Sequence, residues 1–326
     1  MIYNSYNQQS IANGKHTITA LFICSLLLWG AGALLGVGVA RFDMPWWAEE
    51  WNLTGTLLMR PIAFLLYAAT AFLMSSYVIL ERRISWQPGI MMWITATCFA
   101  IQSNVPSAFT LLLFTAIIGM VLGFDNVADA RKYLYTLLAA TTTVALFFPQ
   151  FTLLIPLAFI YPAIGGRLSG KGFMAALLGI ATPLWILFGL TYLFPQLLTP
   201  FADFKASVVG LLQVSKVVLT PSMLIMICAE LIIAVPAILH FFFTASIGRT
   251  HLRRRMLYCI VLDMVLWIAG WWQPQLFNLF FIWRLPLISL LAAYIFPILP
   301  KKTSNIYMVS ALSLWLASAI AGIWIG

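Results

Sequence analysis

The sequence predicts an all-α integral membrane protein of about eleven transmembrane helices, and three observations carry that expectation. The first is composition: 63% of the 326 residues are apolar and 8% are charged, against about 25% charged in a soluble domain. Such a chain cannot cover its surface in water, which excludes a soluble enzyme, a nucleic-acid binder and a disordered scaffold. The second is that the apolar runs are continuous. The alternating strands of a transmembrane barrel would read otherwise. The third is charge placement, which orients the chain.

The expected spans are 17–40, 57–80, 89–104, 106–123, 133–148, 150–164, 173–195, 221–246, 256–272, 276–298 and 306–325. Counted this way, 13 of the 18 basic residues face one side: Lys15, Arg82, Arg83, Arg131, Lys132, Arg167, Lys171, Arg249, Arg253, Arg254, Arg255, Lys301 and Lys302. Arg41, Lys205 and Lys216 face the other, and Arg60 and Arg284 fall within spans. Cytoplasmic loops are enriched in Lys and Arg, so the N-terminus is expected inside and the C-terminus outside. The net charge of +9 is this threading signal and implies no nucleic-acid partner. The first run is expected to stay as an uncleaved helix, being long for a signal-peptide core.

Parity resolves two ambiguous stretches. Arg131/Lys132 and Arg167/Lys171 both belong inside, so an even number of crossings separates them. Residues 133–164 therefore form two short helices turning near Pro149, and 89–123 splits likewise at Pro106, because proline disfavours helix in the residue before it. Helices this short fall below the ~20 residues of a full span. Their recessed tips would leave a hollow on the outer side. Between Pro195 and Pro221, residues 203–219 read as an amphipathic helix lying in the outer interface. The whole of 1–326 is expected to be a single polytopic unit. Cys24, Cys98, Cys228 and Cys259 lie in apolar runs without CxxC spacing and read as packing residues.

Charges that threading does not explain mark candidate chemistry, since ionisable groups within a bilayer are costly. Glu230, Asp263 and Arg284 each sit roughly 12–14 Å below the outer end of their helix, so three consecutive helices can bring them together. Arg60 starts the second span. These four either form a packing network of ion pairs or line a cavity floor where an arginine fork holds an anionic group. The first outer loop adds Asp43, Glu49 and Glu50 beside Trp46, Trp47 and Trp51. That loop is either an interfacial anchor or the mouth of a site, with acids for base or metal–phosphate chemistry and tryptophans for stacking. The run Gly165-Gly-Arg-Leu-Ser-Gly-Lys171-Gly172 lacks the Ser or Thr that ends a phosphate loop and follows no strand. It reads as a tight turn. No metal-ligand motif is present.

The run Phe147-Phe-Pro149, Leu154-Ile-Pro156, Arg167-Leu-Ser-Gly-Lys-Gly-Phe173 and Leu178-Gly179-Ile-Ala-Thr182-Pro183 resembles a family of bacterial polytopic membrane proteins. The wider outline resembles the GT-C glycosyltransferase core, which has an acidic first outer loop and short helix pairs around an outward-facing cavity. The resemblance implies a bacterial inner-membrane location and a polyprenyl-phosphate sugar donor, with a divalent metal ion accompanying it. It places the catalytic acid among Asp43, Glu49 and Glu50 and a phosphate-binding arginine at Arg60 or Arg284; Glu230, Asp263, Trp46 and Trp47 complete the candidate substrate site on the charge and loop readings above. The chain departs from that core in its short first loop and in lacking an acidic pair followed by Tyr. The function expected first is a GT-C-like transferase acting on a lipid-linked sugar at the outer face; the alternatives are a transporter or lipid flippase using Glu230, Asp263 and Arg284, and a non-catalytic subunit of an envelope complex bound to a membrane-protein partner. All three have the lipid bilayer as their surroundings.

Overall fold

The computed structural model describes residues 59–79, 105–124, 129–166, 168–194, 221–243, 250–273 and 276–295, with scattered positions near the two ends of the chain. Among these residues there is no strand. The elements are α1 (Met59–Ile79), α2 (Val105–Gly123), α3 (Ala130–Phe147), a 3₁₀ turn (Pro149–Leu153), α4 (Leu154–Ile164), α5 (Gly170–Leu193), α6 (Pro221–Phe243), α7 (Thr250–Trp272) and α8 (Phe277–Ile295). Three stretches, Val105–Gly123, Gly170–Leu193 and Arg253–Trp272, are long and apolar enough to cross a membrane. Four further apolar stretches are shorter. The first and third expected spans, the outer loop at 41–52 and the interfacial helix at 203–219 lie outside the described residues, apart from Ile23 and Leu27 in the first span.

The break between α3 and α4 falls where the charge parity requires it. Phe148 is extended (φ −130°, ψ 91°), and Pro149 opens the 3₁₀ turn. The glycine run after α4 is a connection between helices. Gly166 adopts φ +63°, and its N–H donates to the Ala163 carbonyl at 3.0 Å, a helix stop that favours glycine. Three residues later the Ser169 hydroxyl accepts from the Gly172 N–H at 3.1 Å and caps α5.

α3 starts at Ala130, three residues before the apolar run that announced it. Asp129 explains the difference: its Oδ1 accepts from the N–H groups of Arg131 (3.1 Å) and Lys132 (3.4 Å). Arg131 and Lys132 therefore belong to the first turn, not to a preceding loop. An Asp N-cap is worth typically about 1 kcal/mol over Ala. Asp129→Ala is thus expected to lower unfolding stability by about that amount, read in detergent by thermal denaturation; Asp129→Asn, which keeps the acceptor, should change it little. Equal losses in the two variants would discount the cap.

The packing places α8 at the centre. From Leu279 to Ser289 every residue is buried, as expected of a helix that is apolar nearly all round. α6 and α7 each pack along it, and α2 touches it from another side. Trp283 anchors that contact, its ring 5.0 Å from Phe114 of α2 and 4.5 Å from Phe151 of the 3₁₀ turn. Three buried threonines are satisfied inside their own helices: Thr70, Thr115 and Thr141 each donate to the carbonyl four residues back at 2.8 Å.

Two helices carry polar residues into the core on regular seams. In α6 the buried positions are Ile227, Glu230, Ala234, Ala237 and Phe241. In α7 Met256, Cys259, Asp263, Leu266 and Gly270 form a similar line. Both follow three-four spacing, which keeps side chains on one face of a helix. Glu230 and Asp263 therefore occupy core positions of their helices, pointed at α8 by periodicity. Cys259 is buried on this seam, whereas Cys228 faces outward from α6.

Candidate functional site: a buried charge cluster

The central helix supplies the cation. Arg284 lies eight positions into α8 and is 1% exposed. Its Nε donates to Asp263 Oδ1 at 2.7 Å, and its Nη2 donates to Asp263 Oδ2 at 3.4 Å. This is the two-point geometry for which a guanidinium is preorganised. On the other side its Nη1 lies 2.7 Å from Glu230 Oε2. That contact is an ion pair by distance, but its angles fall outside hydrogen bonding, so neither Glu230 oxygen has a donor among the described residues. The face of the guanidinium is covered too: its carbon sits 4.1 Å above the centre of the Trp267 ring and 5.7 Å from that of Phe281. Trp267 follows Asp263 by one helical turn, so the same face of α7 presents both the carboxylate and the ring.

The three charged groups are sealed in the protein, with Glu230 at 0% and Asp263 at 1% exposure. Transferring charge out of water costs several kcal/mol per ion even after relaxation. Paired geometry offsets that for Arg284 and Asp263. Glu230 has the charge attraction without the hydrogen bonds. With all three ionised the cluster carries a net charge of −1, one carboxylate more than the arginine can neutralise.

An aromatic column continues from the cluster toward the α7–α8 turn. Trp267 stacks on Trp271 with centroids 6.4 Å apart, and Phe277 meets both rings edge-on. Trp271 is half exposed. This column was not foreseen from the sequence, although the four-residue spacing of Asp263, Trp267 and Trp271 carried the signal.

The convergence of Glu230, Asp263 and Arg284 matches the depth estimate. Arg284, read as a candidate holder of an anionic group, has its guanidinium edges turned to the two carboxylates and its face to Trp267. Arg60 belongs to the first turn of α1, but its side chain lies outside the described residues. Asp43, Trp46, Trp47, Glu49 and Glu50 lie outside them altogether. No protein-family model matches the chain, and no curated protein or solved structure shows significant similarity to it.

Proposed function

We propose that the chain is a multi-pass protein of the bacterial inner membrane, with eleven spans, its N-terminus inside and its C-terminus outside, and that it works as a transporter through the Glu230–Arg284–Asp263 cluster. The observation that carries this reading is the unbalanced, enclosed charge. A buried ion pair kept only for packing needs one acid and one base, and well-packed apolar residues often serve stability as well or better. A second carboxylate without hydrogen-bond donors adds cost and no structural return. Ionisable groups at this depth of a membrane protein mark paths for ions, protons or charged substrates.

Two prolines near the cluster support movement. Pro236 lies within α6, six residues past Glu230, and Pro286 lies within α8, two residues past Arg284. Each removes a backbone N–H from its helix and favours a kink there. Two of the three helices that bring charge to the cluster, α6 and α8, thus have a proline within two turns of their charged residue.

Access to the cluster separates the competing functions. Ile227 and Ala234 flank Glu230 on the buried seam of α6. In a background where Cys24, Cys98, Cys228 and Cys259 are Ser, Ile227→Cys and Ala234→Cys should each react with a membrane-impermeant thiol reagent added from either face in intact and inverted vesicles. Reaction from the outer face alone would sink alternating access. It would move the assignment to the GT-C-like transferase, whose outward cavity would use Asp43, Glu49 and Glu50 with a polyprenyl-phosphate sugar. Reaction from neither face would leave the cluster a packing device, as a non-catalytic subunit requires.

A further inference from the structure

We infer that the cluster holds one exchangeable proton, carried on Glu230, while Asp263 stays ionised against Arg284. This deepens the transport reading, on which it rests for its role: the coupling species is a proton and not a metal cation.

The geometry distinguishes the two acids. Asp263 accepts two hydrogen bonds from one guanidinium, and bonds of that kind favour the ionised form. Glu230 makes one contact with the same guanidinium, and no described group donates a hydrogen bond to either of its oxygens. A carboxylate enclosed at 0% exposure without donors is where an added proton relieves most desolvation. With the proton on Glu230 the cluster is neutral. Without it the net charge is −1, enclosed by apolar side chains.

The donor set argues against a metal cation. Both carboxylates reach within 2.7 Å of Arg284, so a cation bound between them would sit beside a fixed positive charge. A hard cation also takes six or more oxygen ligands in most protein sites. The charged and titratable groups that face Glu230 from the packed helices are Arg284 on α8 and Asp263 on α7. Beyond Asp263 on α7 stand Cys259 and, further toward its start, Tyr258 and Arg255. Along α6 itself, His240 is ten residues away, about 15 Å at the rise of a helix.

The step balances without a further reactant. An O–H bond forms on Glu230 with a proton from water on one side. It breaks when the site opens to the other side, and the proton passes to water there. The cluster alternates between neutral and −1, and the charged state is the one that strains the enclosed conformation.

Infrared spectroscopy of the full chain in lipid nanodiscs tests the assignment without a transported substrate. At neutral pH the spectrum should contain the carbonyl stretch of a protonated carboxyl. Labelling the glutamates with carbon-13 should shift that band, and Glu230→Gln should remove it. Absence of the band, failure to shift on labelling, or survival in Glu230→Gln would each overturn the proposal. If the Gln variant does not accumulate, Glu230→Asp keeps the acid but makes the band insensitive to glutamate labelling; a band that still shifts would overturn the assignment. The measurement is independent of the thiol experiment. A labelled band together with one-sided thiol access leaves the proton on Glu230 and removes the transport role.

Discussion

Replacing Arg284 with methionine is expected to destabilise the protein by about 3–5 kcal/mol, the cost of breaking a buried pair by removing one partner. Methionine roughly keeps the length of the side chain and its contact with Trp267, so the loss reports charge more than volume. Glu230 and Asp263 would then face one another in a dry interior without a counter-charge. Both helices that deliver them are packed on α8, and neither seam has another described cation within it. The measurement is equilibrium unfolding in mixed micelles, followed by helical signal. A loss of only about 0.2–1 kcal/mol, the range of an exposed pair, would falsify the enclosed geometry.

The same argument gives a rescue. Adding Glu230→Gln and Asp263→Asn to Arg284→Met removes every charge while nearly conserving volume, and it is expected to recover much of the lost stability. Replacing a whole buried charge set by neutral residues is often neutral or favourable, whereas removing one member is not. Such a triple variant should fold and have no transport activity. If it instead unfolds as readily as the single variant, the cluster matters through shape and not through charge balance.

Much of this cluster was legible in the sequence because depth follows from simple geometry. Each residue of a helix advances about 1.5 Å, so counting from the outer end of three apolar runs was enough to place Glu230, Asp263 and Arg284 level. Periodicity could also have shown Glu230 and Asp263 on core seams. What periodicity could not show is which acid takes the two-point contact, since that depends on the rotation of α6 and α7 about α8. The aromatic cover from Trp267 was missed for a related reason. A tryptophan near a helix end reads first as an interfacial anchor, and only the packed neighbour reveals a ring facing a guanidinium. At α3 the apolar pattern started the helix late because the capping Asp129 and two basic residues precede the first core position, Leu134. The break at Pro149 was legible because charge parity and the proline point to the same place; Pro183, Pro236 and Pro286 have no such parity signal beside them and lie inside helices. Three described stretches meet both the length and the apolarity of a membrane crossing. The short helices on either side of Pro149 were expected to fall below that length, and for them the argument for crossing rests on charge parity instead.

The second large effect lies away from the charges, at the seam between α3 and α5. α5 buries few residues, and the first four of them are Gly172, Ala176, Gly179 and Pro183. Their spacing puts small residues in one line, the pattern that lets two membrane helices approach closely. At Gly179 the approach is backbone to backbone: a Cβ there would stand 2.5 Å from the Tyr135 carbonyl oxygen and 3.2 Å from the Ala139 nitrogen. Neither atom can turn aside as a side chain can, so the helices must separate. Separation would also stretch the hydrogen bond from Tyr135 to the Thr182 hydroxyl, now 3.1 Å. Gly179→Ala should therefore destabilise the protein, and Gly179→Val should do so by about 1–3 kcal/mol, the usual cost of overpacking. The alanine result is the more telling, because in a helix interior alanine is intrinsically favoured over glycine by about 1 kcal/mol. Gly189, ten residues further along α5, has nothing within 4 Å of its Cβ position. Gly189→Ala should show that intrinsic gain or no change. Opposite signs for the two alanine variants, measured side by side by unfolding in micelles, would establish the close seam. The same sign and size for both would mean that α3 and α5 are not held together through Gly179.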